Sequence, residues 1–236
     1  MLRIAFLKYE RKIGENKYMI KAAIFDLDGT LLNTLDDLMD SANFALQKNG
    51  YEKKTREQIR LFVGNGVKLL IDRCLPDETQ DVRAKVLGDF KEHYAKNMTN
   101  KTAPYPGIMD ALRELKSKGF SLAIVSNKFD AAVKGLSKLY FDGIIDEAVG
   151  ESAQVRKKPA PDSVLTAMKH LKCDRAVYIG DSDVDVLTAH NAGLKCIGVT
   201  WGFRDEKLLR ETGADEIAHN AASMAKYIEK LTEDNA

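Results

Sequence analysis

Cysteine is scarce in this sequence. There are three in 236 residues, Cys74, Cys173 and Cys196, an odd number with no metal-type spacing. That excludes a disulfide framework and suits small buried thiols in a reducing compartment, so a cytoplasmic location is expected. An excess of either charge is also missing. Lys+Arg 36 against Asp+Glu 35 leaves a net charge of +1. No global field draws the chain to nucleic acid or to an anionic membrane, and neither is expected as a partner. No apolar run approaches the roughly 20 residues of a membrane span. Internal repeats and low-complexity tracts are absent as well. What remains is a chain that is 44% hydrophobic, too apolar for disorder and long enough for one large domain or two small ones.

The first residues, Met1–Lys8, start basic and turn apolar, faintly like a signal peptide. The apolar run is short and interrupted, and Lys8, Glu10, Arg11 and Lys12 stand where a small-residue cleavage site is needed. Met19-Ile20-Lys21 is itself a natural start. Residues 1–18 are therefore expected to be a dispensable extension.

The most informative stretch is Ala22–Leu32, AAIFDLDGTLL. A short apolar, β-compatible run suits a strand buried on both faces of a parallel sheet. It leads into Asp26 and Asp28, then Gly29 and Thr30. Open α/β sheets bind ligands beyond the carboxyl ends of their strands. Residues two apart in extended chain share a face, so both carboxylates can look into one pocket. Two such acids with no histidine beside them suit a divalent cation. The alternative is an Asp-Gly turn with solvated acids.

After Thr30 the apolar period becomes helical. Leu35, Leu38, Met39, Ala42, Ala45 and Leu46 share one face; Ile59 to Cys74 continue helically around Gly64-Asn65-Gly66; Val82, Val86, Phe90 and Tyr94 make a third helix. Thr102–Gly107 breaks the pattern as a linker. Strands then alternate with helices: strands at 120–125, 144–149, 176–179, 196–199 and 215–218, helices at 108–115, 129–140, 164–171, 184–192 and 224–231, with a polar loop at 150–161. The pattern predicts an α/β fold, a doubly wound parallel sheet. The sheet is interrupted by an inserted all-helical cap, giving a core of 19–34 and 104–236 and a cap of 35–103. The cap should sit over the two carboxylates as a lid.

Three more places put chemistry at strand ends. Ser126-Asn127-Lys128 offers a hydroxyl and backbone N–H groups to a phosphate oxygen, or else an N-cap to the helix from Phe129. Arg156-Lys157-Lys158-Pro159 fixes a lysine as a point charge for phosphate, or is a solvated basic turn. Gly180-Asp181-Ser182-Asp183-Val184-Asp185 supplies oxygens for Mg²⁺, or acids at a positive helix end.

In this order the four motifs resemble the haloacid-dehalogenase-like superfamily over residues 19–236. The helical cap, Val63-Gly64-Asn65-Gly66, Tyr105-Pro106-Gly107 and Thr200-Trp201-Gly202 look like its phosphoglycolate phosphatase group. The resemblance implies a Mg²⁺-dependent phosphatase for a small phosphorylated metabolite. Asp26 would be the nucleophile, forming an aspartyl-phosphate. Asp28 would move protons to the leaving group and from water. Ser126 and the Asn127 backbone would hold phosphoryl oxygens, with Gly29 and Thr30 beside the substrate. Lys158 would neutralise charge, with Lys157 as fallback. A carboxylate oxygen of Asp26, the carbonyl of Asp28 and Asp181 would hold Mg²⁺, with Asp185 in support or in direct contact and Asp183 without a role.

The cap is less explicit. Backbone N–H groups of Gly64, Asn65 and Gly66 would approach a small anionic substrate, or form an ordinary turn. Arg60 and Lys68 would meet a carboxylate, or stay solvated. His93 and Trp201 read as packing. The first substrate expected is 2-phosphoglycolate. Pyrophosphate, a sugar phosphate or phosphomutase chemistry are alternatives, and a non-enzymatic phospho-acceptor module is opposed by Asp28 and the long helical insertion. A monomer or homodimer is expected.

Overall fold

A computed structural model describes residues 21–233. The expected extension at 1–18 lies outside the described residues, as do residues 19–20 and 234–236. In chain order the elements begin with β1 (Lys21–Phe25), β2 (Leu32–Asn33), α1 (Leu35–Lys48), α2 (Arg56–Phe62), α3 (Val67–Cys74), α4 (Gln80–Asn97) and β3 (Ala103–Pro104). They continue with α5 (Ile108–Ser117), β4 (Ser121–Phe129), α6 (Asp130–Phe141), β5 (Glu147–Glu151) and α7 (Asp162–Leu171). The last are β6 (Arg175–Gly180), α8 (Asp183–Asn191), β7 (Lys195–Val199), α9 (Glu206–Thr212), β8 (Glu216–Ala218) and α10 (Ala221–Glu233).

The main sheet has the order β5-β4-β1-β6-β7-β8, and every pairing is parallel. Strand β1 lies between β4 and β6, so its end falls in the middle of the sheet. Alternation along it separates two cores. Ala23 and Phe25 pack with Leu122, Ile124, Leu112 of α5 and Ile228 of α10. Ala22 and Ile24 pack on the other face with Ala123, Val164 of α7 and Ala189 of α8. The strand is buried on both faces, which is why it reads as an unbroken apolar run.

The four helices inserted after β1 and β2 have a core of their own, built from Leu38, Ala42 and Leu46 of α1, Leu70 and Ile71 of α3, and Phe90 of α4. Phe203, from the loop after β7, joins this cluster from the sheet side. Thr55 caps α2 with a reciprocal bond to Gln58. Gly66, at φ 87°, starts α3 where an L side chain is strained.

Three sequence expectations change. The linker at 102–107 contains β3, which pairs antiparallel with β2 where the chain leaves and re-enters the sheet domain. Strand β4 runs on through Phe129 rather than ending at Val125, with a register shift between the two. Helix α9 was not anticipated; Asp205 caps it by accepting from Leu208 N–H.

Candidate active site

The carboxyl ends of β1, β4 and β6 open into one cleft. Asp26 follows β1 and donates its N–H to Ile179 O at 2.8 Å, extending the sheet pairing by one residue. Asp181 follows β6, and Asp185 lies in the first turn of α8. Oxygens of Asp26, Asp181 and Asp185 all come within 4.8 Å of one another. All three residues are at most 5% exposed. Lys158, from the loop before α7, donates its Nζ to Asp26 Oδ1 at 2.6 Å, Asp185 Oδ1 at 2.7 Å and Tyr178 Oη at 3.1 Å. Tyr178 Oη donates in turn to Asp185 Oδ1 at 2.9 Å.

Charge in this cluster is unbalanced. Three carboxylates face one ammonium, which leaves two negative charges in a buried space. Burial pushes the Asp26 carboxyl well above its ordinary range; Lys158 opposes this, while Asp185, Asp181 and Asp28 add to it. Asp181 is pushed up to about 7, by burial first and then Asp185. Burial works to lower the Lys158 ammonium, but Asp185 and Asp26 outweigh it and raise it. A buried all-oxygen set with two uncompensated charges fits a hard divalent cation such as Mg²⁺.

The chain around Asp181 holds it in one orientation. Thr30 Oγ1 donates to Asp181 Oδ1 at 3.1 Å and the Phe203 N–H to Oδ2 at 2.7 Å. Gly29 and Gly202 press against the same carboxylate; a Cβ on Gly29 would lie 2.5 Å from Asp181 Oδ2. Asp185 is an acid at the positive end of a helix, and its carboxylate also stands in the three-acid cluster. Ser182 caps α8, and Ser182 Oγ donates to Asp185 Oδ2 at 2.6 Å, while Oδ1 faces Lys158.

Asp28 lines the cleft, as does Ser126. The Asp28 carboxylate stands apart from the three-acid cluster because Lys128 Nζ donates to both its oxygens, at 2.8 and 2.9 Å. Only its carbonyl remains a candidate metal ligand. The N-cap reading of Ser126-Asn127-Lys128 fails, since β4 continues through these residues and α6 has no side-chain cap. The Asn127 side chain secures the lysine loop: Lys158 N–H donates to Oδ1 at 2.8 Å, and Nδ2 donates to Lys158 O at 3.2 Å and Gly64 O at 3.3 Å.

Several candidate binding groups lie elsewhere. Thr30 is fully buried with its hydroxyl on Asp181, so it orients that acid rather than meeting a substrate. Gly64 and Gly66 line the cleft, but Asn65 Oδ1 accepts from Arg73 Nη2 at 2.9 Å. Arg60 points away: Nη1 donates to Phe203 O, while Nε and Nη2 donate to Glu57 at 2.9 and 2.7 Å. Lys68 is paired with Asp72 and Lys157 with Glu151. Asp183 sits 3.6 Å from Arg204 Nε. His93 packs on Phe44, and Trp201 Nε1 donates to Thr30 O at 3.0 Å.

Lys128, named in the sequence only as part of its motif, and Tyr178 and Arg204, which the sequence does not single out, complete the arrangement. Lys128 was readable, because it is two on from Ser126 and extended chain returns it to the same face. Tyr178 is the polar ring inside an otherwise apolar strand. Arg204 carried no local signal. Its Nη1 donates to Arg60 O at 3.0 Å and its Nη2 to Val63 O at 2.7 Å, while Arg60 donates back to Phe203 O, so helix α2 and the loop after β7 hold each other.

A doubly wound sheet, acids and a lysine at its carboxyl ends and a helical cap above them define a capped α/β protein with an acidic, cation-binding type of site. The chain belongs to the haloacid dehalogenase-like hydrolase family, whose model matches residues 23–199. A phosphoglycolate phosphatase of Vibrio parahaemolyticus is 34% identical over 224 residues, 89% of this chain and 96% of that one. A phosphoglycolate phosphatase of Cereibacter sphaeroides is 37% identical over 186 residues, 77% of this chain and 85% of that one. A solved Lactobacillus delbrueckii subsp. bulgaricus structure, nominally a phosphoglycolate phosphatase, has a TM-score of 0.85 and 38% identity, covering 89% of this chain and 98% of that one. CbbY of Rhodobacter sphaeroides, solved with phosphate, has a TM-score of 0.72 and 28% identity over 87% of this chain and 96% of that one. This protein is thus an enzyme, a phosphatase of that family.

Proposed function

We propose that the protein hydrolyses a small phosphomonoester, 2-phosphoglycolate first, with Mg²⁺ and through an aspartyl-phosphate on Asp26. The observation that carries this is the position of Asp26: at the end of the central strand, buried, with Lys158 on one oxygen and two further acids alongside. Mg²⁺ would be held by Asp26, Asp181, the Asp28 carbonyl and, directly or through a bridging group, Asp185. When bound, it supplies positive charge that lets an anionic nucleophile approach an anionic phosphate.

The chain's own residues divide the work. Asp26 attacks phosphorus, and the bond from phosphorus to the leaving oxygen breaks with its electron pair on that oxygen. Asp28 donates a proton there, then takes one from the water that attacks the phosphoenzyme; the bond from phosphorus to Asp26 breaks and phosphate leaves. Ser126 and the Asn127 N–H hold phosphoryl oxygens, and Lys158 balances charge on nucleophile and phosphate. We assign 19–34 and 104–236 to the catalytic domain and 35–103 to the cap, which excludes water. The phosphate bound by CbbY and the names of the curated relatives support this reading.

The test is a phosphate-release panel of small phosphate esters, pyrophosphate and sugar phosphates, with Mg²⁺ or with EDTA. The expected result is release from 2-phosphoglycolate that EDTA abolishes. Release from none of them in Mg²⁺ would overturn the proposal.

A further inference from the structure

Three cations line the cleft: Lys158, Arg204 and Lys128. Lys158 is committed to Asp26, Asp185 and Tyr178, and Arg204 to backbone carbonyls of the cap. The cap wall brings no charge of its own there. It presents Leu38, Val63, Val67 and Leu70, with the backbone of Gly64 and Gly66. Lys128 is paired with Asp28 rather than with the three-acid cluster or the cap carbonyls, so it is the cation placed to meet a second anionic group on a substrate.

The surroundings of Lys128 suit that task. Its side chain is 2% exposed, and two of its three N–H donors go to the oxygens of Asp28. The ammonium also lies 4.8 Å from the ring centroid of Tyr94, which comes from α4 of the cap. Tyr94 is fully buried, and its hydroxyl makes no hydrogen bond of ordinary geometry. The phenol oxygen and the Lys128 ammonium lean on each other, which holds the ammonium between Tyr94 and Asp28 at the cleft wall.

We infer that Lys128, backed by Tyr94, is the specificity-determining site for a carboxylate on the leaving group. This rests on the phosphatase reading, in which Asp28 serves the ester oxygen. In a 2-phosphoryloxy carboxylate, the carboxylate is joined to the very carbon that bears that oxygen. With the ester oxygen at Asp28, the carboxylate falls beside Lys128, which touches Asp28. The substrate class is thus the phosphate ester of a small 2-hydroxy acid. Esters carrying a neutral or cationic group at that position forgo the ionic contact with Lys128.

The test compares kcat/KM for 2-phosphoglycolate, 2-hydroxyethyl phosphate and 2-aminoethyl phosphate, in the parent enzyme and in Lys128→Gln, Lys128→Arg and Tyr94→Phe. The parent should prefer the carboxylate and handle the amine worst. Lys128→Gln should cut the ratio of carboxylate to hydroxyl substrate by about tenfold or more, the loss of a charged contact. Lys128→Arg should retain most of that ratio, and Tyr94→Phe should lower it a few-fold. An unchanged ratio in Lys128→Gln, with both substrates slowed alike, would reduce Lys128 to a support for Asp28 and overturn the inference. A parent enzyme that hydrolyses none of the three would instead overturn 2-phosphoglycolate as the first substrate, the part of the proposed function on which this inference rests. A parent that hydrolyses all three without preferring the carboxylate would overturn the substrate class without needing any variant to fold.

Discussion

Replacing Asp181 with Asn should make the metal-free enzyme more stable at pH 8 while removing its response to Mg²⁺. The Asp181 carboxyl is pushed up to about 7 in the folded protein from an ordinary 3.8. Between those values the folded state holds a proton that the unfolded chain releases. Stability therefore falls as pH rises from about 4 through about 7, and the whole penalty is present above pH 7. Three pH units at about 1.4 kcal/mol each set a ceiling of about 4 kcal/mol. Screening does little to reduce it, because Asp181 is 1% exposed. Asparagine removes the charge and can keep both contacts, its carbonyl accepting from the Phe203 N–H and its amide donating to Thr30 Oγ1. Urea unfolding in EDTA should show Asp181→Asn ahead of the parent by a few kcal/mol at pH 8, and the gap should close towards pH 4. Mg²⁺ at about a hundred times its Kd should then give the parent about 2.7 kcal/mol and the variant far less. A variant less stable than the parent in EDTA at pH 8, or an equal gain from Mg²⁺ in both, would refute the charge imbalance.

Gly202→Ala tests the same carboxylate sterically. Its new Cβ would collide with Asp181, so Mg²⁺ activation should weaken at least tenfold, with a loss of about 1–3 kcal/mol in stability, read by metal titration and thermal unfolding. Arg204→Ala removes donors to the carbonyls of Arg60 and Val63. If closing the cap depends on them at about 1–2 kcal/mol, kcat/KM should fall about 5- to 30-fold, mostly in KM, with little change in Tm. Asp37 is buried and accepts from the N–H groups of Lys101 and Thr102 and from Thr102 Oγ1, joining α1 to the return strand β3. Asp37→Ala should cost about 2–4 kcal/mol in urea unfolding, because it strands buried donors.

Much of the fold was legible because its signals are local. A strand buried on both faces has to be an apolar run, and Ala22–Phe25 is one; the faces of α1 and α4 follow the helical period through Leu38, Ala42, Phe90 and Tyr94. The acids were legible because they interrupt such runs at their carboxyl ends. What was not legible depends on distant partners. Whether Ser126–Lys128 starts a helix or extends a strand depends on β5 pairing with β4, and that choice places Lys128 on Asp28. Arg60 and Lys68 carry the right charge for a cap-side anion site, but their directions are set by Glu57, Phe203 and Asp72. Thr30 looked like a substrate contact because it follows the acid pair; only the approach of β6 shows its hydroxyl serving Asp181.

The role of Asp26 is tested most directly by trapping the phosphoenzyme. Asp28→Asn, given 2-phosphoglycolate with a radiolabelled phosphate and Mg²⁺ and quenched in acid, should carry the label on the peptide containing Asp26. The same variant with Asp26→Asn added should carry none. Label on another residue, or phosphate release by the single variant Asp26→Asn at the parent rate, would contradict the assignment of Asp26 as nucleophile.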